Sequence, residues 1–380
     1  MPSPDAAIVV FGASGLIGRR VCRALAETGV PFEIAGRREA ALADVAAEVP
    51  VTYTHLADTH DPATLAAAFA GARVVINASG PLRDCAEPVL EAALIAGAHY
   101  VDVGGEQDAL HVLYERHEST ARRTGLVALP GAGVDCLIGD LAAAWAAAHL
   151  CGIRDDGPIV RTEPAARLAE DRPLDEIAIS YVFDELVLSA GSQRALFGSA
   201  FARPLVWRRD RWEAGRAGER RRVNAGPALG GERDALGYAG GDVVTVPRHI
   251  AANFVGSFVS TTRNTGAQAA LRLLARALPF VPRAAGDLLA PYAAPDADYA
   301  STRFAVVAQV RRGFAAAQIV VRGRDLYRTT GMIAAWAASQ LVARTAGASG
   351  MRAPAELFRA EPALRELSRI ASLSIEPSFG

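Results

Sequence analysis

A glycine-rich turn near the start of the chain has the residue types and spacing that bind phosphate groups. It lies between an apolar segment, 7–11, and a helix-like segment, 19–28, and consists of Gly12, Ala13, Ser14, Gly15, Leu16, Ile17 and Gly18. Glycines let the backbone approach a pyrophosphate, and the N–H groups at the start of the following helix point at it. The order strand, glycine turn and helix predicts a dinucleotide-binding unit.

Two arginines indicate which dinucleotide would bind. Arg37 and Arg38 follow a second apolar segment, 30–35, at the place where a site for NAD usually carries an acid. Guanidinium groups instead suit a 2′-phosphate, with which they form charge-assisted hydrogen bonds. The alternative is that both arginines are solvated charges at a helix N-terminus, although the helix dipole disfavours cations there. The sequence therefore predicts NADP(H) as the cofactor rather than NAD.

Five polar residues near the expected ligand cleft are candidates for proton transfer or for polarising a hydride acceptor. They are Tyr100, Asp102, Asp135, Tyr181 and Arg194. Each has a structural alternative. Asp102 could help to cap the helix that begins near residue 108, and Arg194 follows a serine-rich turn in which Ser192 could be a simple N-cap.

Alternating elements position most of these residues in the first third of the chain. Short apolar segments predict buried parallel strands at 8–11, 32–35, 51–56, 73–77, 100–103 and 126–129. The segments around and between them predict helices at 19–28, 38–49, 62–70, 84–96, 108–124 and 138–150. This alternation is typical of a Rossmann-type doubly wound parallel sheet. A glycine-proline turn at 78–81 ends the fourth strand where such sheets bind ligands.

The pattern changes after about residue 151. Period-two alternation predicts strands at 177–183, 253–261, 303–311 and 317–321 and within 243–246, and a long helix follows at 327–345. We therefore expect a second α+β domain with a mostly antiparallel sheet. The predicted division is a Rossmann domain over 1–135 and an inserted domain over 136–326, with the C-terminal helix packing back on the Rossmann domain.

Composition narrows the function classes. The 380 residues are 51% hydrophobic and carry a formal net charge of −1, which favours a globular protein and disfavours nucleic acid as the main partner. No lysine occurs among the 40 basic residues, which excludes Schiff-base catalysis, a Walker-type phosphate loop and a catalytic tyrosine-lysine pair. The four cysteines lack metal-ligand spacing, so we expect no metal and a reducing, cytoplasmic location. We expect no export signal and no membrane span.

Three further segments carry a family resemblance. Residues 77–81 read Asn-Ala-Ser-Gly-Pro, residues 99–106 read His-Tyr-Val-Asp-Val-Gly-Gly-Glu, and residues 130–135 read Pro-Gly-Ala-Gly-Val-Asp. With the Rossmann pattern, these segments resemble the saccharopine dehydrogenase-like superfamily, which includes saccharopine reductases and trans-acting enoyl reductases. The resemblance implies hydride transfer with NADP(H), a second domain for substrate binding and oligomerisation, and a homodimer as one candidate assembly.

The resemblance also implies roles for particular residues. Asp58 would contact the adenine edge, and the passage for ribose and nicotinamide would be lined by Asn77, Ala78, Gly80 and Pro81. Lysine-producing saccharopine dehydrogenases rely on a lysine and histidine pair, and this chain departs from them because it has no lysine.

Three functions follow as hypotheses. We expect NADPH-dependent reduction of an activated double bond, in a small molecule or an acyl thioester. The C=C bond of an enoyl thioester is favoured by the largely uncharged, aromatic second half of the chain. The alternatives are a C=N reductase or amino-acid dehydrogenase of saccharopine type, and a non-catalytic NADP-binding regulatory protein.

Overall fold

Two β-sheets of different construction organise the chain. The computed structural model describes residues 7–163, 165–185, 187–189, 192, 204–216, 219–262, 299–343, 347 and 349–380. Within these residues, one sheet is entirely parallel and the other is mixed.

The first sheet is the predicted doubly wound sheet. Its strands are β1 (Ile8–Phe11), β2 (Phe32–Gly36), β3 (Thr54–Leu56), β4 (Val74–Asn77), β5 (His99–Asp102), β6 (Val127–Leu129) and β15 (Gly350–Met351). They pair in parallel in the order β15-β6-β5-β4-β1-β2-β3. The strand β3 is shorter than predicted, and a strand from the C-terminal region adds a seventh member. The order changes direction between β1 and β4, which is where such sheets bind ligands.

Helices cover both faces of this sheet. They are α1 (Leu16–Glu27), α2 (Glu39–Glu48), α3 (Pro62–Phe69), α4 (Leu82–Ile95) and α5 (Gln107–Arg123). A later helix, α8 (Leu326–Ala343), packs on α1, and a Cβ on Gly331 would lie only 2.7 Å from the Arg20 backbone. This close approach requires glycine, and it docks the C-terminal helix against the first sheet.

A one-turn π-helix joins the two sheets. Residues Val134–Ile138 form this turn and continue directly into α6 (Gly139–Leu150), most of whose residues are buried. The helix α6 packs against two strands of the second sheet, β13 (Arg303–Arg312) and β14 (Ala315–Arg324). Short π-helical turns recur at functional sites, and this one carries Asp135.

The second sheet is mixed and mostly antiparallel, as predicted. Its other strands are β7 (Glu176–Phe183), β8 (Leu205–Arg208), β9 (Arg211–Ala214), β10 (Arg220–Asn224), β11 (Glu232–Tyr238), β12 (Phe254–Thr261) and β16 (Ser374–Phe379). The order is β10-β11-β12-β7-β13-β14-β16, and β8 pairs with β12 and β9. All these pairs are antiparallel except β7 with β12.

One predicted strand is wrong. Residues 243–246 lie in a helix, α7 (Asp242–His249), and not in a strand. Val243, Val244, Thr245 and Val246 are all buried, so the segment is apolar on every side and its β-branched residues gave a misleading strand signal. Two short helices near the C-terminus, α9 (Pro354–Leu357) and α10 (Ala360–Ile370), complete the described elements together with a 3-10 turn at Pro227–Leu229.

Candidate functional site

The glycine turn after β1 has the shape that a bound pyrophosphate requires. Gly12 has a φ of +77°, and a Cβ there would lie 2.7 Å from the Ser79 backbone nitrogen. A side chain on Gly18 would collide with the Gly12 carbonyl and would lie 2.7 Å from Ala13 Cα. Gly15 is the exposed N-cap of α1, without a side chain above the helix amides. The turn therefore leaves open backbone where a phosphate would approach.

The remaining residues of the turn fall into two groups. Ala13 is fully buried beneath Gly18, whereas Ser14, Leu16 and Ile17 are half-buried at the start of α1. The second group presents backbone N–H groups and only partly shielded side chains to the cleft. The structure thus places the predicted pyrophosphate residues in one continuous surface at the end of β1.

A second turn, after β4, lies directly against the first. Asn77 is fully buried, and its Oδ1 accepts hydrogen bonds from the Ser79 nitrogen at 3.0 Å and the Ser79 hydroxyl at 2.6 Å. Its Nδ2 donates to the Tyr100 hydroxyl at 3.1 Å. Asn77 therefore shapes the turn instead of presenting its own side chain to a ligand. Ala78, Gly80 and Pro81 remain at the surface of that turn.

The two arginines lie free at the end of β2. Arg37 and Arg38 are exposed, and among the described residues neither guanidinium takes part in a hydrogen bond or an ion pair that the structure shows. Hydrogen bonds from His60 hold the pKa of Asp58 below its usual range, and the Arg37 guanidinium adds to that effect. The charges of Asp58 and Arg37 therefore interact. Two unpaired guanidinium groups beside a glycine turn fit a 2′-phosphate.

On the other side of the switch point, Asp102 is fully buried at the end of β5. Its Oδ1 accepts hydrogen bonds from Gly131 N at 2.9 Å and Gly104 N at 3.1 Å, which ties the loops after β5 and β6 together. Burial raises the pKa of Asp102 to about 7. Asp102 thus organises the ligand-bearing edge of the sheet from beneath.

Tyr100, one strand residue earlier, is also fully buried. Its hydroxyl accepts from Asn77, and burial raises its pKa well above the usual range. Its role in proton transfer stays a prediction, and the structure shows its buried hydroxyl in contact with Asn77. Tyr100 supports the turn after β4 through Asn77.

Glu106 lies at the same edge of the first sheet, in the loop between β5 and α5. Its Oε1 accepts from the Leu82 nitrogen at 2.6 Å, at the first turn of α4, and burial raises the pKa of the carboxyl. The loop between β5 and α5 is thereby fastened to the end of the turn that follows β4. The loops after three neighbouring strands, β4, β5 and β6, are held together by two buried carboxyl groups.

Asp135 is the predicted acidic residue that reaches the cleft. It is half-buried on the π-helical turn, and side chains on Gly105 or Gly133 would collide with its carboxylate. Both glycines leave space for Asp135 at the ends of β5 and β6. Burial raises the pKa of Asp135 to about 6. A carboxyl group with that pKa and partial access to solvent can donate a proton near neutral pH.

Tyr181 lies deeper than predicted. It is 2% exposed, and its hydroxyl donates a hydrogen bond of 2.7 Å to Asp242 Oδ2, which also accepts from Ser257 Oγ at 3.2 Å. Asp242 is fully buried, and burial raises its pKa well above the usual range. Tyr181 belongs to a buried polar group with Asp242 and Ser257, and its role as a catalytic candidate stays a prediction.

Tyr238 is the residue that sequence reasoning missed. It ends β11, is half-buried, and its ring meets that of Tyr181 edge to face at 6.2 Å between centroids. Burial, followed by the negative charge of Asp135, raises the pKa of its hydroxyl. The sequence signal that could have revealed it is the Gly240-Gly241 pair, which ends the strand and turns the chain toward the first sheet.

Arg194 lies outside the described residues. Within the described part of the chain, no group of three histidine, cysteine or acidic side chains could hold a metal ion. The helices that the structure describes are all too short or too polar to cross a membrane. All four cysteine thiols are free.

Comparison with known proteins identifies the first domain. Residues 8–127 match the family model described as the saccharopine dehydrogenase NADP binding domain. This match assigns residues 8–127 to the saccharopine dehydrogenase NADP binding domain. The glycine turn and the two arginines fit NADP(H), because the turn leaves open backbone for pyrophosphate and the arginine side chains are exposed after β2.

The proteins that are similar to this chain carry different names. A saccharopine dehydrogenase-like oxidoreductase of Bos taurus is 30% identical over 155 residues, which cover 35% of this chain and 35% of the relative. A Mycobacterium tuberculosis protein, provisionally named a trans-acting enoyl reductase, is 31% identical over 156 residues, which cover 40% of this chain and 36% of the relative. The matched segments span about a third of these relatives.

The second domain resembles a solved structure in its fold only. Apo saccharopine dehydrogenase (L-Glu forming) from Saccharomyces cerevisiae superposes with a TM-score of 0.64, covering 98% of this chain and 99% of that chain at 13% identity. Both sheets are thus shared in their arrangement with a saccharopine dehydrogenase. At this identity the likeness carries no information about the substrate.

Proposed function

We propose that this chain is an NADPH-dependent oxidoreductase that reduces an activated double bond, with the C=C bond of an enoyl thioester as its substrate. The observation that carries the proposal is the half-buried Asp135, at the ends of β5 and β6 and facing the same edge as the glycine cradle. A reductase of this kind needs a hydride source and a proton donor on opposite sides of one bond. The cradle and Asp135 supply the places for both.

NADPH, when bound, supplies a hydride to the β-carbon of the enoyl thioester and leaves as NADP⁺. Asp135 donates its proton to the α-carbon, so that the C=C π bond is replaced by two C–H bonds. The charge that develops on the thioester oxygen is removed by this proton transfer. Because Asp135 is half-buried, solvent can return a proton to its carboxylate after each turnover.

Neighbouring groups support Asp135 in this role. The half-buried Tyr238, whose hydroxyl is near enough to Asp135 to feel its charge, would hold the thioester oxygen, while Asp102 and Glu106 keep the neighbouring loops in place. Gly105 and Gly133 leave space that no other residue type would leave. The chain therefore orients the substrate with hydroxyl and backbone groups.

The charge of this region favours a thioester over an amino-acid substrate. A saccharopine-type substrate brings carboxylates, which are usually held by arginine or lysine. Burial, and no nearby cation, is the main influence on the pKa of Asp135, and other acids act on Tyr238 and Asp242. A second carboxylate beside Asp135 would be repelled. The provisional name of the Mycobacterium tuberculosis relative supports the same choice.

An assay with purified protein separates the hypotheses. NADPH would be incubated with crotonyl-coenzyme A, or with an imine formed from a 2-oxo acid and an amine, and the loss of NADPH absorbance would be followed. Oxidation with the enoyl thioester supports the proposal. Oxidation with the imine alone would replace it by the C=N alternative, and tight NADPH binding without turnover would favour a regulatory protein.

The proposal also covers the cellular location of the protein and the boundary between its two domains. The free thiols, which show no disulfide among the described residues, fit the reducing cytoplasm. The boundary at about residue 135 is proposed on the π-helical turn, because the chain there leaves the parallel sheet and enters α6, which packs on the second sheet.

A further inference from the structure

One glutamine side chain joins the two sheets beside the cleft. Gln107, the first residue of α5, is 3% exposed. Its Nε2 donates to the Leu205 carbonyl and to the Gly240 carbonyl, both at 3.0 Å, and its Oε1 accepts from the Leu205 nitrogen at 2.6 Å. The amide thus donates to and accepts from backbone groups as a neighbouring strand would. All three bonds connect residues about 100 or more positions apart in sequence.

The backbone around Gly240 is seated against the same helix. Glu106 and Gly240 form an isolated antiparallel bridge. A side chain on Gly241 would collide with Leu110 on α5 and would lie 3.4 Å from the Gly105 carbonyl. These contacts fix one short segment of the second sheet onto the loop that follows β5.

The neighbouring hairpin strengthens the contact. The Trp212 ring of β9 meets the His111 ring of α5 at 4.6 Å between centroids, and its Nε1 donates to the Val243 carbonyl at 3.2 Å. Trp207, on β8, packs edge to face on Trp212 at 4.9 Å. The β8–β9 hairpin is therefore held between α5 and α7.

Gly240 lies two residues after Tyr238 and two residues before Asp242. We propose that Gln107 is a positioning residue that clamps the segment from Tyr238 to Asp242 onto the first sheet and so sets the distance between Tyr238 and the ligand edge of β5. The inference rests on the proposed function only for the role of Tyr238 toward substrate. The clamp itself consists of hydrogen bonds between the Gln107 side chain and backbone groups, and it can be tested without turnover.

The variant Gln107→Glu keeps the shape of the side chain but removes both N–H donors and places a carboxylate against two carbonyls. Gln107→Met removes donors and acceptor without adding charge. The matched control is Asp108→Asn, one residue along the same helix, with an exposed side chain outside the clamp. Hydrogen exchange would be measured on NADPH-loaded protein, together with NADPH affinity, kcat and KM for crotonyl-coenzyme A.

Both Gln107 variants are expected to raise exchange in peptides covering 204–208 and 238–242 by about tenfold or more, since opening these segments would no longer break three hydrogen bonds. Exchange in 8–18, NADPH affinity and the control variant should stay at wild-type values, while kcat falls more than KM changes. Unchanged exchange at 238–242 would overturn the clamp, and so would equal loss of protection throughout the chain. If wild-type protein reduces no enoyl thioester, the proposed function fails but the exchange result still decides the clamp.

Discussion

The two walls of the cleft are built in opposite ways. The cofactor wall consists of residues 12–18, 37–38 and 78–81, and it offers glycine backbone and exposed, unpaired arginines. The proposed substrate wall consists of Asp135 and Tyr238, supported by buried Asp102, Glu106 and Asp242. The first wall exposes charges that suit a polyanion, whereas the second holds acids in partly or fully desolvated places. Under the proposed function, this difference means that anion binding needs solvated charges, whereas proton transfer needs desolvated acids.

Removing the acid of the substrate wall should have the largest effect. Asp135→Asn is expected to lower kcat by about 10²- to 10⁴-fold, the usual contribution of a positioned general acid. The cofactor wall is unaffected, so NADPH affinity should stay the same. Wild-type kcat should fall as pH rises through about 6, because the protonated carboxyl is the donor. The variant should lose that dependence in steady-state assays over pH 5 to 8.

An unchanged kcat in Asp135→Asn would remove Asp135 from the mechanism. In that case Tyr238→Phe becomes the decisive variant, because Tyr238 is half-buried and its hydroxyl interacts with the charge of Asp135.

One added methyl group in the cofactor wall should lower the affinity for NADPH. Gly12→Ala is expected to weaken NADPH binding by roughly tenfold or more, because the new Cβ displaces the Ser79 turn that borders the cradle. The positive φ costs about 1–2 kcal/mol of folding stability in addition. Gly29→Ala is the matched control: it has a φ of +69° but no atom within 4 Å of a new Cβ. Both variants should unfold at lower denaturant concentration, and calorimetric titration should show lost affinity in Gly12→Ala alone. Equal NADPH affinities in the two variants would contradict the cradle.

The two arginine charges of the cofactor wall should determine how much more tightly NADPH binds than NADH. Changing Arg37 and Arg38 together to alanine should weaken NADPH by about 10- to 100-fold per lost charged hydrogen bond, and NADH by far less. Titration with both nucleotides measures the ratio, and Arg209→Ala, an exposed arginine at the β8–β9 turn, serves as the control. Equal loss of NADPH and NADH would rule out the 2′-phosphate assignment.

The smallest expected effect concerns stability and pH. The pKa of Asp102 is raised by burial to about 7, so the stabilisation of the protonated form is complete below its unfolded value near 4 and is lost as pH rises through 7. Asp102→Asn keeps an oxygen for the Gly104 and Gly131 N–H groups but cannot ionise. Urea unfolding should therefore lose less stability between pH 4 and 8 in the variant than in wild type. Asp44→Asn, at an exposed carboxylate, should show the wild-type slope.

The parallel sheet was predictable because its signals are local. Apolar segments such as β1 and β4 are followed at once by the turns that terminate them, so strand, turn and helix can be read in sequence order. The second sheet was predictable in type but not in detail. The valines of α7 are buried on every side and carry no helical periodicity, so only their packing decides that they form a helix.

The residues of the candidate site also differ in how far local sequence predicts their roles. Gly12, Gly18, Arg37 and Arg38 act through the backbone or through exposed charge, and both properties follow from residue type and from neighbours in sequence. The sequence by itself therefore determined the cofactor class and the parallel fold.

Tertiary structure alone decided which acids are buried and which reach the cleft. Asp102, Asp135 and Asp242 look alike in the sequence, yet their environments are set by loops and helices that come from distant parts of the chain. Tyr238 is held by its pairing with Ser257 of β12 and by its ring contact with Tyr181, and Gln107 bonds Gly240 nearby although the two are 133 residues apart. The desolvation of an acidic group depends on all the residues packed around it. For the substrate wall, most of those residues are distant in sequence.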